Sequence, residues 1–203
     1  MSRRCRSLLI AVLLLMVPLA VMARVRRKPQ PKPPGPESVV LRYCRLDLQG
    51  ARLSERASGS EEIASLLVAP TRREADRVIV SDDCAIGKVT NTAAGATVTV
   101  LYTNLGTLTP AGEILPSARP GETVKFALKK SGNDWKISGP LLPPHVSPRA
   151  LRAYWEHKAN GATDEPARRR AQQVVERLRQ LQEEAKGTRR GDVSAAQGEP
   201  QAR

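Results

Sequence analysis

Between Arg77 and Ser138 the chain carries nearly all of the residues able to form strands with one buried face, so this stretch limits what the whole can become. Its clearest segment is Thr123 to Lys130, where Val124, Phe126 and Leu128 fall on one side of a pleated strand and Lys125 and Lys129 on the other. The turn Ser131-Gly132-Asn133-Asp134 follows. Beyond it Trp135 and Ile137 alternate with Lys136 and Ser138, the pattern of a hairpin with a Gly/Asn loop. Upstream, Ala96 to Leu105 sets Val98, Val100 and Tyr102 against Thr97, Thr99, Leu101, Thr103 and Leu105. Both faces are partly apolar, which predicts a central strand. Val78, Ile79 and Val80 open the sheet, and residues 85 to 92 predict another strand that turns through Ala93-Ala94-Gly95. Pro110, Gly112, Pro116, Pro120 and Gly121 mark a long loop before Thr123.

Helices flank this sheet. From Glu37 to Leu48, Val40, Tyr43, Cys44 and Leu48 share one helical face while Arg42, Arg45 and Gln49 point away, and Gly50 ends the helix. Ser58-Gly59-Ser60-Glu61 matches a Ser-x-x-Glu capping box in front of Ile63, Leu66 and Leu67. That predicts a short second helix to about Val68, stopped by Pro70, with Thr71 to Asp76 as a polar connection. After Leu141-Leu142-Pro143-Pro144, Ser147-Pro148 reads as a cap with proline at the first helical position, and Leu151, Tyr154 and Trp155 give a helix to about Lys158. A polar helix from about Glu165 to Lys186 follows, with Ala171, Val174, Val175, Leu178 and Leu181 as its apolar stripe. With under three heptads of apolar positions it is expected to be detached and solvated. From Gly187 onward composition predicts disorder.

The formal net charge of +13 raises the question of a nucleic-acid partner, and its distribution argues against one. Residues 1 to 23 carry +3 and residues 24 to 35 carry +5, whereas residues 36 to 164 hold sixteen basic against fourteen acidic side chains. Residues 165 to 203 add +3. The domain itself is near neutral. Arg3, Arg4 and Arg6 precede the nonpolar run Leu8 to Ala23, and Val21-Met22-Ala23 resembles a cleavage site, which together predict a secretory signal peptide over residues 1–23. The rival reading is an uncleaved membrane anchor, because Arg24, Arg26, Arg27 and Lys28 follow at once. Cys5 lies before the apolar run, so a lipoprotein signal is not indicated, and Cys5-Arg6-Ser7 after Arg3-Arg4 departs from the twin-arginine pattern. Five prolines between residues 24 and 36 make an extended basic linker. The expected organisation is therefore a signal over 1–23, a linker over 24–36, a domain over 37–160, and a polar helix with tail over 161–203. The expected location is the periplasm or the exterior.

Two helices, long antiparallel strands and the run Gly132-Asn133-Asp134-Trp135-Lys136-Ile137 resemble the nuclear transport factor 2-like superfamily over roughly residues 37 to 140. Tyr43-Cys44-Arg45-Leu46-Asp47-Leu48-Gln49-Gly50-Ala51 is similar to the first helix of its small exported bacterial members. The resemblance implies an α+β fold in which a strongly curved antiparallel sheet and N-terminal helices form a cone around a pocket, here followed by a C-terminal helix and polar tail. Ketosteroid isomerases and scytalone dehydratase in that superfamily run acid–base chemistry with Asp, His and Tyr lining the cone. The comparable residue types here are Tyr43, Asp47, Asp82, Asp83, Tyr102 and His145, of which Tyr43, Asp47, Asp82 and Tyr102 are the candidate pocket residues. Each also has an ordinary reading: Asp82-Asp83 as a solvated turn or bulge, the tyrosines as core residues with a polar edge, His145 as a surface histidine in a loop. No catalytic motif of the family is matched, and no catalytic residue is carried across.

His145 and His157, Cys44 and Cys84 lack close ligand spacing, so no metal and no cofactor is expected. In an exported chain Cys44 and Cys84 could instead form a disulfide contributing on the order of 2 to 4 kcal/mol; two buried thiols are the alternative. Three functions remain open at this point. The first is a non-catalytic exported module that binds a small apolar ligand or a partner protein, a second copy of the chain included. The second is a small lyase or isomerase using a pocket Asp, Tyr or His. The third is an envelope-associated protein held to anionic surfaces by basic segments at residues 24 to 32 and 168 to 190. An enzyme predicts that at least two of Tyr43, Asp47, Asp82 and Tyr102 converge in one concave pocket.

Overall fold

The computed structural model describes residues 34–69 and 77–196, with side chains through residue 187. The expected signal and most of the expected linker, the expected stop at Pro70, the connection Thr71 to Asp76 and the final residues lie outside it. Within it the chain is α+β: a strongly curled six-stranded sheet forms a half-barrel with helices packed on it. Helix α1 spans Pro36–Leu48 and α2 spans Ser60–Ser65. The strands are β1 Val78–Thr92, β2 Gly95–Leu108, β3 Ile114–Pro116, β4 Gly121–Ser131, β5 Asp134–Gly139 and β6 His145–Val146. Helices α3, Pro148–Gly161, and α4, Glu165–Ala196, close the chain. The sheet order is β5-β4-β2-β1-β6, with β3 pairing β2 off that path. All pairings are antiparallel except that of β6, which runs parallel to β1 through Ile79 and Val80.

The alternation that predicted β2 and β4 is the alternation observed. Ala96, Val98, Val100, Tyr102, Asn104 and Leu108 are buried along one side of β2, and Val124, Phe126 and Leu128 along one side of β4. The expected break between Val80 and residue 85 is absent, because β1 runs unbroken from Val78 to Thr92. Register shifts after Val80, after Ser81 and between Ile86 and Val89 take its place. Extra residues in one strand raise local twist and bend it, which is how a strand this long follows a curled sheet.

Two apolar clusters fill the interior. The larger joins Val39, Val40, Tyr43 and Cys44 of α1 to Val98, Val100, Tyr102, Phe126, Leu128 and Ile137. The smaller joins Val80, Leu108 and Val146 to Leu151 of α3 and Val174, Leu178 and Leu181 of α4. Helix α4 is therefore not detached: its stripe completes the second cluster, and the backbone stays helical through Ala196 rather than giving way at Gly187. The predicted capping box is also not used. Gly59 is the N-cap, with φ +83 and no side-chain cap, and the Ser60 hydroxyl donates to the carbonyl of Glu55 at 2.8 Å. A Cβ at Gly59 would meet Cδ2 of Leu46 at 2.9 Å, so the close approach of this turn to α1 selects glycine. Helix α2 stops at Ser65 instead of near Val68, since the backbone beyond it pairs with β5: Ile137 N–H donates to Leu66 and Val68 N–H donates to Ile137. Among the described residues no helix is long and apolar enough to cross a membrane.

Candidate functional site

Helix α1 ends in a turn that determines everything near it. Gly50 takes φ +86, its N–H donates to the Asp47 carbonyl at 2.8 Å, and Ala51 N–H donates to Leu46 at 3.0 Å. This reversal closes the helix through a left-handed glycine and brings Arg52 back onto the last turn. Arg52 grips the Asp47 carboxylate with both arms, Nε to Oδ1 at 2.9 Å and Nη2 to Oδ2 at 2.7 Å. Its other donors reach the carbonyls of Leu142 at 2.8 Å and Pro143 at 3.0 Å. Asp47 is fully buried and takes a third bond from the backbone N–H of His145 at 3.0 Å. The pair thus ties the end of α1 to the segment leading into β6. The Arg52 guanidinium lies 5.4 Å from the centre of the Tyr43 ring.

A second set continues from β6 into the sheet. The His145 ring stacks on Tyr102, with centroids 4.1 Å apart, and its Nδ1 lies 3.0 Å from the Pro143 carbonyl. A carbonyl only accepts, so the neutral ring carries its proton on Nδ1. Nε2 is then a bare, buried acceptor without a hydrogen bond, 3.7 Å from Oε2 of Glu122. Glu122 in turn receives a bond from Asn104 Nδ2 at 2.9 Å, and the Asn104 carbonyl receives the Ser81 hydroxyl at 2.7 Å. The Tyr102 hydroxyl meets Sγ of Cys44 at 3.3 Å.

Burial governs the electrostatics. It holds the Tyr43 and Tyr102 phenols well above their ordinary range, reinforced by the negative charge of Asp47. Burial alone would pull the Arg52 guanidinium down, but the hydrogen bonds and charge of Asp47 override it and hold it above its usual value. His145 is held below its ordinary value, first by burial and against the pull of Asp47 and Glu122.

Of the four candidate pocket residues, Tyr43, Asp47 and Tyr102 converge, at the concave side of the sheet. Asp82 does not join them: it occupies the register shift of β1 between Ser81 and Asp83, half-buried. The three that meet line no hollow. Val40, Tyr43 and Cys44 are at most 1% exposed and sit against Val98, Val100 and Phe126, each at 0%, so α1 fills the concave side. A shallow open depression around Glu55, Arg56 and Glu61 lies elsewhere on the surface and touches none of these groups. His145, expected at the surface, is 1% exposed, because Tyr102 covers its face and Asp47 holds its backbone. Arg52, Asn104, Ser81 and Glu122 complete the cluster without having been singled out in the sequence. Asn104 did leave a signal, as a polar side chain in phase with the buried positions Ala96 to Tyr102. Cys44 and Cys84 are free thiols, the first buried and the second half-buried. Among the described residues no three His, Cys, Asp or Glu side chains gather to hold a metal.

No protein-family model matches the chain, and comparison with curated proteins and with solved structures finds no match either.

Proposed function

We propose that this chain is an exported, non-catalytic module of nuclear transport factor 2-like kinship that acts through its outer surface by binding another protein. One observation carries this reading: the side of the half-barrel that would enclose a small molecule is occupied by α1. An acid or base must come within hydrogen-bond reach of its substrate. Tyr43, Asp47, Tyr102 and His145 are at most 1% exposed, and Asp47 spends its carboxylate on Arg52 and a backbone N–H. That weighs against the lyase or isomerase reading and equally against an apolar ligand in the cone. Adhesion to anionic surfaces through the C-terminal basic residues also loses support. Along α4, Arg168 and Arg169 pair with Glu165, Arg177 with Glu184, Arg179 with Glu176 and Lys186 with Glu183, which neutralises most of the helix locally.

The test uses the apolar dye 8-anilinonaphthalene-1-sulfonate on the native full chain, together with photo-crosslinking residues placed one at a time at Leu101, Leu115 and Leu141, each about half exposed. The reading expects no saturable dye site and a discrete crosslinked protein from at least one position in the producing cells. Saturable dye binding, or no crosslink from any of the three, overturns it. Export is checked separately, by finding an amino terminus near Arg24 in the exported fraction.

A further inference from the structure

We propose that Cys44 and Cys84 form a closable clamp, a disulfide that fixes α1 to β1 when the folded protein meets a thiol–disulfide oxidant. The placement is specific. Cys44 lies in the middle of the α1 face that fills the half-barrel, and Cys84 stands on β1 directly across from Tyr102. The Tyr102 hydroxyl is 3.3 Å from the Cys44 sulfur, so both cysteines border the same residue. Both pack into the same apolar cluster, Cys44 in its buried interior and Cys84 at its partly buried edge. The two are free thiols in this structure, so closure requires their sulfurs to approach one another, and the geometry of a disulfide tolerates a range of Cα separations.

The two ends are also chemically unequal in the way a clamp needs. Cys44 is fully buried, and its interaction with Cys84, together with burial, keeps its proton on. Cys84 is half-buried between exposed Asp83 and Ala85, and its interaction with Cys44, against burial and Asp83 and with help from Arg45, favours its thiolate. Cys84 is therefore the sulfur an oxidant reaches first. The Cys84 thiolate attacks one sulfur of the oxidant's disulfide and releases the other as a thiolate, giving a mixed disulfide on Cys84. Cys44 then loses its proton to solvent, attacks the Cys84 sulfur and releases the second thiolate. One protein S–S bond forms, one oxidant S–S bond breaks, two electrons pass to the oxidant and two protons leave the cysteines. The clamp depends on the exported reading only for where the oxidant is met.

The experiment treats the reduced, folded full chain with excess oxidised glutathione, then denatures, alkylates and digests it without reductant. The clamp predicts one linked peptide pair, Cys44 with Cys84, while Cys5 is joined to neither. It also predicts a rise in Tm on the order of 10 °C, reversed by dithiothreitol. In Cys84→Ser, which keeps a hydrogen-bonding group of similar size, oxidised glutathione should leave Tm unchanged and Cys44 alkylatable on denaturation. Two alkylatable thiols at Cys44 and Cys84 in oxidised wild type, or a bridge to Cys5 instead, overturns the proposal. Because closure is assayed in purified protein, absence of the chain from the exported fraction would remove the exported reading and leave the clamp standing.

Discussion

Asp47 and Arg52 show how much one pair of side chains can decide. A fully buried carboxylate is tolerable only with a full set of donors, and here it has three, two from Arg52 and one from the His145 backbone. Asp47→Ala leaves the half-buried guanidinium and the His145 N–H without that acceptor. It should destabilise the fold by about 3 kcal/mol, as should Arg52→Ala, while the double variant loses clearly less than the sum. Urea unfolding of the four proteins measures the coupling, and strict additivity would mean the pair does not act as a unit. His145 adds a pH dependence whose sign follows from burial. Burial outweighs Asp47 and Glu122, with Arg52 acting in the same direction as burial, so the native ring takes up a proton less readily than the unfolded one. Its contribution is present above the unfolded value of about 6.5 and is lost as pH falls below it toward the native value, at up to about 1.4 kcal/mol per pH unit. His145→Gln should flatten the pH dependence of the urea midpoint between about pH 7 and pH 5, and an unchanged slope would refute the assignment. Tyr43 and Tyr102 were legible in the sequence as core residues with a polar edge, whereas Asp47 entered only through the family resemblance. Arg52 was not legible, because its partner lies across a glycine turn whose geometry no periodicity encodes, and His145 looked solvated because it sits between Pro144 and Val146 in a loop-like exit.

The elements that local pattern describes well are those whose partners lie next to them. β4 and β5 follow one another through a short turn and β2 pairs with β4, each with one buried face, so alternation alone finds them. β1 was split in reading because the register shifts after Val80 and after Ser81 put Asp82 out of phase, and such bulges bend the strand around the barrel. The error at α4 has the same origin at longer range. Its stripe is sparse, and only the patch left open by Val80, Leu108, Val146 and Leu151 gives it somewhere to go. Leu178→Ala, at a side chain 1% exposed, should therefore cost about 2–5 kcal/mol in thermal or urea unfolding. A solvated helix would lose almost nothing. The β1–β2 turn offers a sharper steric case. Gly95 takes φ +158, and a Cβ there would run into the backbone carbonyl of Leu128 on β4. Gly95→Ala should therefore destabilise by about 2 kcal/mol or more, in contrast to Gly132→Ala at the β4–β5 turn, where a Cβ meets nothing and only its φ of +64 is unfavourable.

At the scale of the whole domain the arrangement of polarity matters more than any one contact. Along β2 the buried positions pass from Val98 and Val100, in the cluster under α1, through Tyr102 and Asn104 to Leu108, in the cluster under α3 and α4. Ser81, Asn104, His145 and Asp47, all buried, form a polar belt where one cluster gives way to the other. Such a belt could let the two ends melt separately, because few apolar contacts cross it. The strands argue otherwise. β1 and β2 pair from Val78–Leu108 to Thr92–Gly95, so the same two strands floor both clusters and cannot be lost from one alone. The belt is itself cross-linked, Ser81 to Asn104 to Glu122, and Asp47 to Arg52 and His145. A single cooperative transition is therefore expected for residues 34–187. Ile137→Val in the first cluster and Leu178→Ala in the second should both lower the same transition, by about 1 and about 2–5 kcal/mol, with unchanged steepness in urea. Tryptophan fluorescence can follow both ends at once, since Trp135 packs on the first cluster and Trp155 on the second. Removing either tryptophan by Trp→Phe should leave the midpoint read from the other where far-UV circular dichroism puts it. Two separated midpoints would show that the belt divides the domain into parts that fold on their own.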